Sequence, residues 1–390
     1  MSSKRQSWTD LSDSQGQRPG MFDYLAPEDV DPRYGGGTPE RTEPPHFRFA
    51  VIGAGVAGQG NMLCQMNEGR GQLRGLYDTR RRSVDTALGL LHDPGAVTVY
   101  DSVDAVCADP DVDAVIVASP NHTHCDIAKK AVKAGKHILL QKPMTTTVSD
   151  AWDLVEATRD YDRVAMLFLE YRLKPISLHA VHEAFVRCSL GALKMMSIWE
   201  HRPPFLNKAG QWNKFSKYSG GTLVEKCCHY FDQFNLFARS RPRRVFASGG
   251  AAVHYKDFEY EGERSDIVDN ADVIVEYENG IRAHLDFCMF AQTGSEGLCL
   301  IGDRGRFHGV DGESARIEVT SDHSVPDTEI VSRWRHGGAH SGASPRQARL
   351  FADAIDGLAD RYATVLDGFW SVVAGVAAER SVATGEPVDI

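Results

Sequence analysis

The segment GAGVAG at residues 53–58 constrains the fold more than any other feature of the sequence. It fits the pattern G-x-G-x-x-G, follows the apolar run from Phe47 to Ile52, and precedes residues with a helical pattern. The run predicts a buried parallel strand, and the glycines permit a tight turn in which a pyrophosphate approaches a helix N-terminus. The segment therefore predicts a dinucleotide site. The alternative is an ordinary tight turn between a strand and a helix.

Further apolar runs alternate with helical patterns over about a hundred residues. Strands are predicted at 72–78, 113–120 and 137–143, with a helix over 125–135. This alternation predicts an α/β fold with a doubly wound parallel sheet, in an N-terminal domain over residues 47–170.

The second predicted strand ends at Asp78, 20 positions after Gly58. A carboxylate there accepts hydrogen bonds from a ribose diol, which favours NAD over NADP. The basic run Arg80–Arg82 follows at once and could instead bind a 2′-phosphate, so NADP remains an alternative.

The second half of the chain has a different pattern. Alternating runs at 193–202, 243–253, 270–290, 296–310 and 315–320 predict strands of a mainly antiparallel sheet, and closing helices are predicted near the C-terminus. These residues form a predicted α+β domain over 171–390. Residues 1–46 are polar and broken by Pro and Gly, which predicts a flexible N-terminal extension.

The bulk composition excludes several classes of partner. The 390 residues predict two domains, and the net charge of -10, from 43 basic and 53 acidic residues, disfavours nucleic-acid binding. No apolar run approaches the roughly 20 residues of a membrane helix, and the N-terminus has no apolar signal region. The eight cysteines are scattered without a C-x-x-C pair. We therefore expect a cytoplasmic protein with reduced thiols.

The order of four segments carries a family resemblance. The segments GAGVAG, ASPNHTH, GKHILLQKP and GGTLVEKCCHYFD resemble the Gfo/Idh/MocA oxidoreductase family, and the resemblance extends from Phe47 to the C-terminus. It implies a Rossmann domain followed by an open-faced, mainly antiparallel sheet domain for substrate binding and oligomerisation, as a homodimer or homotetramer. It also implies transfer of a hydride between NAD(P) and a secondary alcohol of a sugar, an inositol or a related polyol.

The resemblance assigns residues to the reaction. The family's E-K-P motif appears as Gln141-Lys142-Pro143, which retains the lysine. The family's G-G-x-L-x-D-x-G-x-H-x-x-D motif maps onto residues 220–232. Within it His229 and Asp232 match, Glu225 stands in place of Asp, and Cys227 in place of Gly.

The chemistry of alcohol oxidation needs these residue types. If residues from Leu223 onward are helical, Glu225, His229 and Asp232 share one face. His229 can take the hydroxyl proton, Lys142 can stabilise the developing alkoxide, and Glu225 can orient the imidazole or bind substrate. The alternatives are a core histidine or a metal site that includes Cys227 and Cys228. Since adjacent cysteines point to different helix faces, we predict no metal.

The predicted site residues fall into three groups. The catalytic residues are Lys142, His229 and Glu225. The cofactor-binding residues are Gly53, Gly55, Val56, Ala57, Gly58, Asp78, Thr79, Ser119, Pro120, Asn121, His124, Gln141, Lys142 and Arg172. The substrate-binding residues are Lys142, His201, Arg202, Trp212, Glu225 and His229.

Some alternatives stay open. Tyr171, Arg172 and Lys174 contact ligands or form a surface salt-bridge cluster. His201, Arg202 and Trp212 suit a sugar ring, or serve interface or core packing. The predicted reaction is a dehydrogenation. Its rivals are a redox-neutral glycosidase, epimerase or lyase that holds NAD tightly, and a non-catalytic NAD-binding regulatory protein.

Overall fold

The computed structural model describes residues 44–311, 314–320, 328–333 and 339–390. Nearly all of the predicted extension therefore lies outside the described residues. In these ranges no helix combines the length and the apolar character that a membrane crossing requires.

Within the described residues, six strands form the N-terminal sheet. They are β1 (Phe47–Ile52), β2 (Gly71–Tyr77), β3 (Thr98–Val99), β4 (Ala114–Val117), β5 (His137–Leu140) and β6 (Ala165–Leu167). All neighbours pair in parallel, in the order β3-β2-β1-β4-β5-β6. This confirms the predicted doubly wound sheet. The strand order reverses between β1 and β4, where such sheets bind ligands beyond their carboxyl ends.

Helices connect these strands. They are α1 (Val56–Glu68), α2 (Arg81–Leu88), α3 (Val103–Ala108), α4 (His124–Lys133) and α5 (Val148–Ala157). The strands β1, β4 and β5 are buried over most of their length, because helices cover both faces of the sheet.

A second sheet follows, with nine strands in the described part of the chain. They are β7 (Leu193–His201), β8 (Pro242–Gly250), β11 (Asn270–Tyr277), β12 (Arg282–Cys288), β13 (Ser295–Gly302), β14 (Arg306–Asp311), β15 (Ser314–Thr320), β16 (Thr328–Arg333) and β17 (Val388–Asp389). The order is β16-β15-β14-β13-β7-β12-β11-β8-β17. Only β7 and β12 pair in parallel among these neighbours, so the predicted mainly antiparallel sheet is confirmed. The short strands β9 (Glu259–Tyr260) and β10 (Glu263–Arg264) form a separate hairpin.

The remaining helices are α6 (Pro175–Val181), α7 (Ser216–Ser219), α8 (Thr222–Glu225), α9 (Cys228–Ala238), α10 (Ala343–Ile355) and α11 (Val365–Thr384). The last two join the two sheets into one body. Phe351 of α10 and Phe369 of α11 lie in the apolar clusters of the N-terminal sheet, whereas Ala374 and Ala378 lie in the cluster of the second sheet. Helix α11 therefore packs in the apolar cores of both sheets.

Candidate active site

The turn between β1 and α1 requires glycine. Gly53 has φ +97, and a Cβ there would overlap the peptide that joins Ala118 to Ser119. A Cβ at Gly58 would overlap the carbonyl oxygen of Gly53, whereas a Cβ at Gly55 would meet no atom within 4 Å. Helix and strand therefore approach as closely as the sequence pattern predicts, and space remains beside Gly55 for a pyrophosphate.

Asp78 lies at the end of β2, next to this turn. Its Oδ2 accepts from the backbone N–H of Ala54 at 2.8 Å, and its Oδ1 accepts from that of Arg80 at 2.8 Å. An ionised carboxylate has about four acceptor positions, so two remain for ribose hydroxyls. Arg81 is exposed and pairs with Asp85 at 2.8 Å. These residues fit the adenosine half of NAD, and Val56, Ala57 and Thr79 lie beside them in the chain.

The loops after β4 and β5 are tied together by His124. This buried ring places Nδ1 2.8 Å from the Pro143 carbonyl and Nε2 2.9 Å from the Ser119 carbonyl. Burial lowers the pKa of His124, against the effect of both carbonyls. His124 thus supports the loop with Ser119 and Pro120 and the loop with Gln141 and Lys142.

Lys142 reaches across from the first sheet to the second half of the chain. Its Nζ donates to the Glu225 carbonyl at 2.7 Å and lies 3.5 Å from Glu225 Oε1. In a continuous helix that carbonyl would accept from the N–H of His229. The structure instead ends α8 at Glu225 and begins α9 at Cys228. The continuous helix that would place Glu225 and His229 on one face is therefore interrupted at the carbonyl that Lys142 binds.

Glu379 of α11 binds the backbone of the turn before Glu225. The Oε1 of Glu379 accepts from the N–H of Leu223 at 2.7 Å. Gly221 has φ +90, and a Cβ there would overlap the same carboxylate. Burial raises the pKa of Glu379 to about 7. Gly221 of the motif thus lets α11 approach the site.

The Glu225 carboxylate has three donors around it. Lys142 and Lys208 lie 3.5 and 3.3 Å from Oε1, and the Asn121 amide donates to Oε2. Burial disfavours the charged carboxylate, but both lysines outweigh it and lower the pKa of Glu225 to about 2. Burial likewise disfavours the Lys142 ammonium, but Glu225 outweighs it and raises the pKa of Lys142. Both groups are therefore charged at neutral pH.

His229 lies in a second cluster beside this one. Its ring stacks on Tyr171 with centroids 3.9 Å apart and planes 8° apart. Lys226 donates to the Tyr171 hydroxyl at 2.6 Å and lies 3.1 Å from Glu200. Lys226 of this cluster therefore pairs with Glu200 of β7.

Lys174 lies on the other face of the Tyr171 ring, because His229 already covers one face. Its Nζ is 3.6 Å from the ring centroid, 2.6 Å from Glu296 and 3.2 Å from Asp311. Both Tyr171 and Lys174 are buried. Of the two alternatives, the surface salt-bridge cluster is therefore excluded for Lys174, since its partners enclose it.

Arg172 lies close to two carboxylates. It is buried, and its Nε donates to Asp232 at 2.6 Å while Asp367 lies 3.4 Å away. This guanidinium joins α9 to α11 in the interior instead of lining an open cleft. Its contact with the cofactor stays a prediction.

The predicted substrate ligands separate in the structure. His201 lies 3.0 Å from Asp286 on the opposite face of β7 from the buried Glu200. Arg202 lies 3.8 Å from Glu200, and the Trp212 ring lies 4.4 Å from Lys208 Nζ. Arg202 and Trp212 are thus joined to the charged cluster, while the substrate contact of His201 stays a prediction.

Cys227 and Cys228 are buried, and burial raises the pKa of the Cys228 thiol to about 12. In the part of the chain that the structure describes, no group of three His, Cys, Asp or Glu side chains is placed to hold a metal ion.

Sequence reasoning missed two contacts of the site. Lys208 contacts Glu225, and Asn121, which was predicted as a cofactor-binding residue, donates to Glu225. Both contacts join segments that are distant in the chain. One signal was present: between Glu200 and Glu225 the chain carries four Lys or Arg residues and no Asp or Glu.

Comparison with known proteins identifies the class that this fold and site define. Residues 47–169 match the family model described as oxidoreductase family, NAD-binding Rossmann fold, and residues 187–390 match that family's C-terminal alpha/beta domain. The chain belongs to the Gfo/Idh/MocA oxidoreductase family. NAD is the cofactor for which the family's Rossmann domain is named.

The relatives are distant. The chain is 24% identical over 351 residues to a 1,5-anhydro-D-fructose reductase of Ensifer adhaerens. The alignment covers 88% of this chain and 98% of the reductase. It is 22% identical over 346 residues to an inositol 2-dehydrogenase of Rhizobium meliloti. That alignment covers 88% of this chain and 99% of the dehydrogenase. A levoglucosan dehydrogenase solved with NADH and levoglucosan superposes with a TM-score of 0.76 at 18% identity, over 88% of this chain and 99% of that one. This likeness shows the fold.

Proposed function

We propose that the protein is an NAD-dependent dehydrogenase that oxidises a secondary alcohol of a cyclic polyol or sugar. The observation that carries the proposal is the bond from Lys142 to Glu225. It places a charged ammonium from the parallel-sheet domain against the second domain, beyond the carboxyl ends of the strands. The names of the relatives, which act on sugars or inositol, support the substrate class.

The residues on the glycine turn fit NAD. Gly53, Gly55 and Gly58 would admit its pyrophosphate, and Asp78 would accept from the adenosine ribose. NAD supplies the hydride acceptor. We infer NAD over NADP because Asp78 ends β2 as a carboxylate, which a 2′-phosphate would face unfavourably.

The remaining steps belong to side chains of this chain. Because its pKa is raised, Lys142 enters the reaction as an ammonium and stabilises the alkoxide that forms as the substrate hydroxyl loses its proton. We assign the proton to His229, the imidazole stacked on Tyr171. Glu225 holds Lys142 in place and remains ionised. The substrate carbon loses a hydride and the hydroxyl loses a proton, which yields a ketone.

We also propose that the protein is a homodimer or homotetramer. The uncovered face of the second sheet carries apolar cross-strand pairs, Phe246 with Ile274 and Met195 with Ile301, each 39–54% exposed. Light scattering of the wild type and of Ile274→Lys tests this. A wild type that is monomeric at micromolar concentration would contradict it.

The experiment that tests the dehydrogenase is NADH formation, followed by near-ultraviolet absorbance. The purified protein is given NAD or NADP with a panel of inositols, aldoses and sugar acids. We expect turnover with at least one member and higher kcat/KM with NAD than with NADP. Absence of reduction across the panel would contradict the proposal.

A further inference from the structure

The segment between Glu200 and Glu225 differs in charge from the rest of the chain. It carries Arg202, Lys208, Lys214 and Lys217 and has no carboxylate, whereas the whole chain has a net charge of -10. It connects β7 to α8, and through Lys208 it reaches the same carboxylate that binds Lys142. A basic segment at the reactive lysine of an acidic protein creates a local positive potential.

Two carboxylates of the described residues are each shared by two cations at the site. Glu225 is shared by two ammonium groups, those of Lys142 and Lys208. Glu200 is likewise shared by Lys226 at 3.1 Å and Arg202 at 3.8 Å. Each carboxylate can neutralise one cation, so each of the two groups has an excess of one positive charge.

The remaining charges nearby lie deeper. Lys174 is on the far side of the Tyr171 ring and is neutralised there by Glu296 and Asp311. Glu170 is buried and accepts from the Ser344 hydroxyl. Lys174 with Glu296 and Asp311 has one negative charge in excess, and Glu170 is a further buried carboxyl. The negative charge therefore lies in the interior, and the positive excess lies on the more exposed side of the site.

The excess charge also faces outward. The side chains of Lys208, Arg202 and Lys142 are 36%, 26% and 19% exposed, whereas those of Glu225 and Glu200 are 3% and 8% exposed. Of these five side chains, a molecule that enters beside Lys142 therefore meets the cations before the carboxylates. The Trp212 ring next to Lys208 adds a flat surface against which a sugar ring can pack.

We propose that the substrate is an anionic sugar or polyol, and that Lys208 and Arg202 bind its carboxylate or phosphate group. Lys142 then contacts the hydroxyl that is oxidised. The phosphates of NAD do not explain these cations, because the glycine turn after β1 provides for the pyrophosphate. This inference rests on the proposed dehydrogenase and names its substrate class.

The test compares matched pairs of substrates that differ in charge. Glucuronate, galacturonate and mannuronate are each set against the corresponding aldose, gluconate is set against glucitol, and glucose 6-phosphate against glucose. We expect kcat/KM with NAD at least tenfold higher for the anionic member of a pair. The preferred pair also distinguishes a carboxylate from a phosphate ester.

Variants locate the effect on the basic segment. Lys208→Gln removes one charge, and we expect it to lower kcat/KM for the anionic substrate about tenfold or more, mainly through KM. The KM for NAD should not change. Lys217→Gln is the matched control, because Lys217 lies on the same segment but pairs with Glu263 at the surface. Thermal unfolding checks that both variants fold.

The outcomes separate the two proposals. Equal or better turnover of the neutral members, unaffected by Lys208→Gln, would overturn the anionic substrate and leave the dehydrogenase standing. If no sugar reduces NAD, the dehydrogenase fails, and calorimetric titration of glucuronate, galacturonate and glucose 6-phosphate into the protein with NAD decides the inference alone. Tighter binding than the neutral sugars, weakened in Lys208→Gln, supports it; binding without such a difference overturns it.

Discussion

The two halves of the candidate site are built in different ways. The dinucleotide half is formed by backbone. Gly53 and Gly58 have no side chains, and a Cβ at either position would overlap a neighbouring peptide group. The reactive half is made by charge, since Lys142 meets Glu225, 83 positions away, inside the protein. The dinucleotide half therefore requires glycine at these two positions, whereas the reactive half requires a pair of opposite charges.

This difference separates binding from chemistry. A glycine turn has no group that titrates, so its function should survive changes of charge elsewhere. The Lys142–Glu225 pair has little exposed surface, so removal of the Glu225 charge leaves Lys142 beside Lys208 without a counterion, and removal of the Lys142 charge leaves Glu225 with Lys208 alone. Substitutions in one half should therefore affect NAD binding, and those in the other turnover.

The largest effect is expected for Lys142→Ala. The variant loses the ammonium that stabilises the alkoxide, and we expect kcat to fall on the order of a thousandfold. The affinity for NAD, measured by protein fluorescence, should change little. Lys133→Ala, an exposed lysine of the same domain, is the control. A kcat within tenfold of the wild type would show that the two halves are not divided in this way.

Gly58→Val breaks the other half. The added side chain collides with the carbonyl of Gly53, and we expect the affinity for NAD to fall about a hundredfold or more. Calorimetry measures this loss. Gly60→Ala in the same helix meets no atom within 4 Å and should retain NAD binding. Tight NAD binding by Gly58→Val would mean that the turn does not hold the pyrophosphate.

Glu379→Gln tests the charge behind the reactive half. The folded protein raises the pKa of this carboxyl to about 7, so its contribution to stability is lost as pH rises from about 4.5 to 7. Glutamine keeps an acceptor for the N–H of Leu223 without that charge. We expect the variant to be more stable by about 2–3 kcal/mol at pH 8 and to match the wild type near pH 4. Urea unfolding across this range decides, and a difference independent of pH would refute the assignment.

A smaller effect is expected for Tyr171→Phe. It removes the hydroxyl that accepts from Lys226 but keeps the ring that stacks on His229, so kcat should fall about fivefold. In the profile of kcat against pH, the acid limb should keep its position. Tyr171→Leu also removes the ring and should move that limb, because the surroundings of His229 change. If neither variant alters the profile, Tyr171 does not position His229.

The sequence predicted the fold where the signals were local. The apolar run Phe47–Ile52 and the glycines after it predicted β1 with its observed bounds, because burial and turn formation are properties of adjacent residues. The parallel pairing of β7 with β12 was not predicted. It depends on two strands that are far apart in the chain and carry similar alternating patterns.

The site was predictable to the same extent. Lys142 and Glu225 were identified by their motifs, and the structure brings them together. The break after Glu225 was missed, because the spacing of Glu225 and His229 also suits a continuous helix. A surface cluster stayed open as one alternative for Lys174, since lysines are seldom buried without partners and its partners lie more than a hundred residues away.

The most direct test of the account is the fate of the hydrogen on the reacting carbon. The best substrate of the panel is prepared with deuterium on every carbon and incubated with NAD, and the nicotinamide is examined by proton NMR. We predict one deuterium at C4 of NADH in the wild type and none in Lys142→Ala. Consumption of substrate without deuterated NADH would contradict dehydrogenation and indicate a redox-neutral reaction.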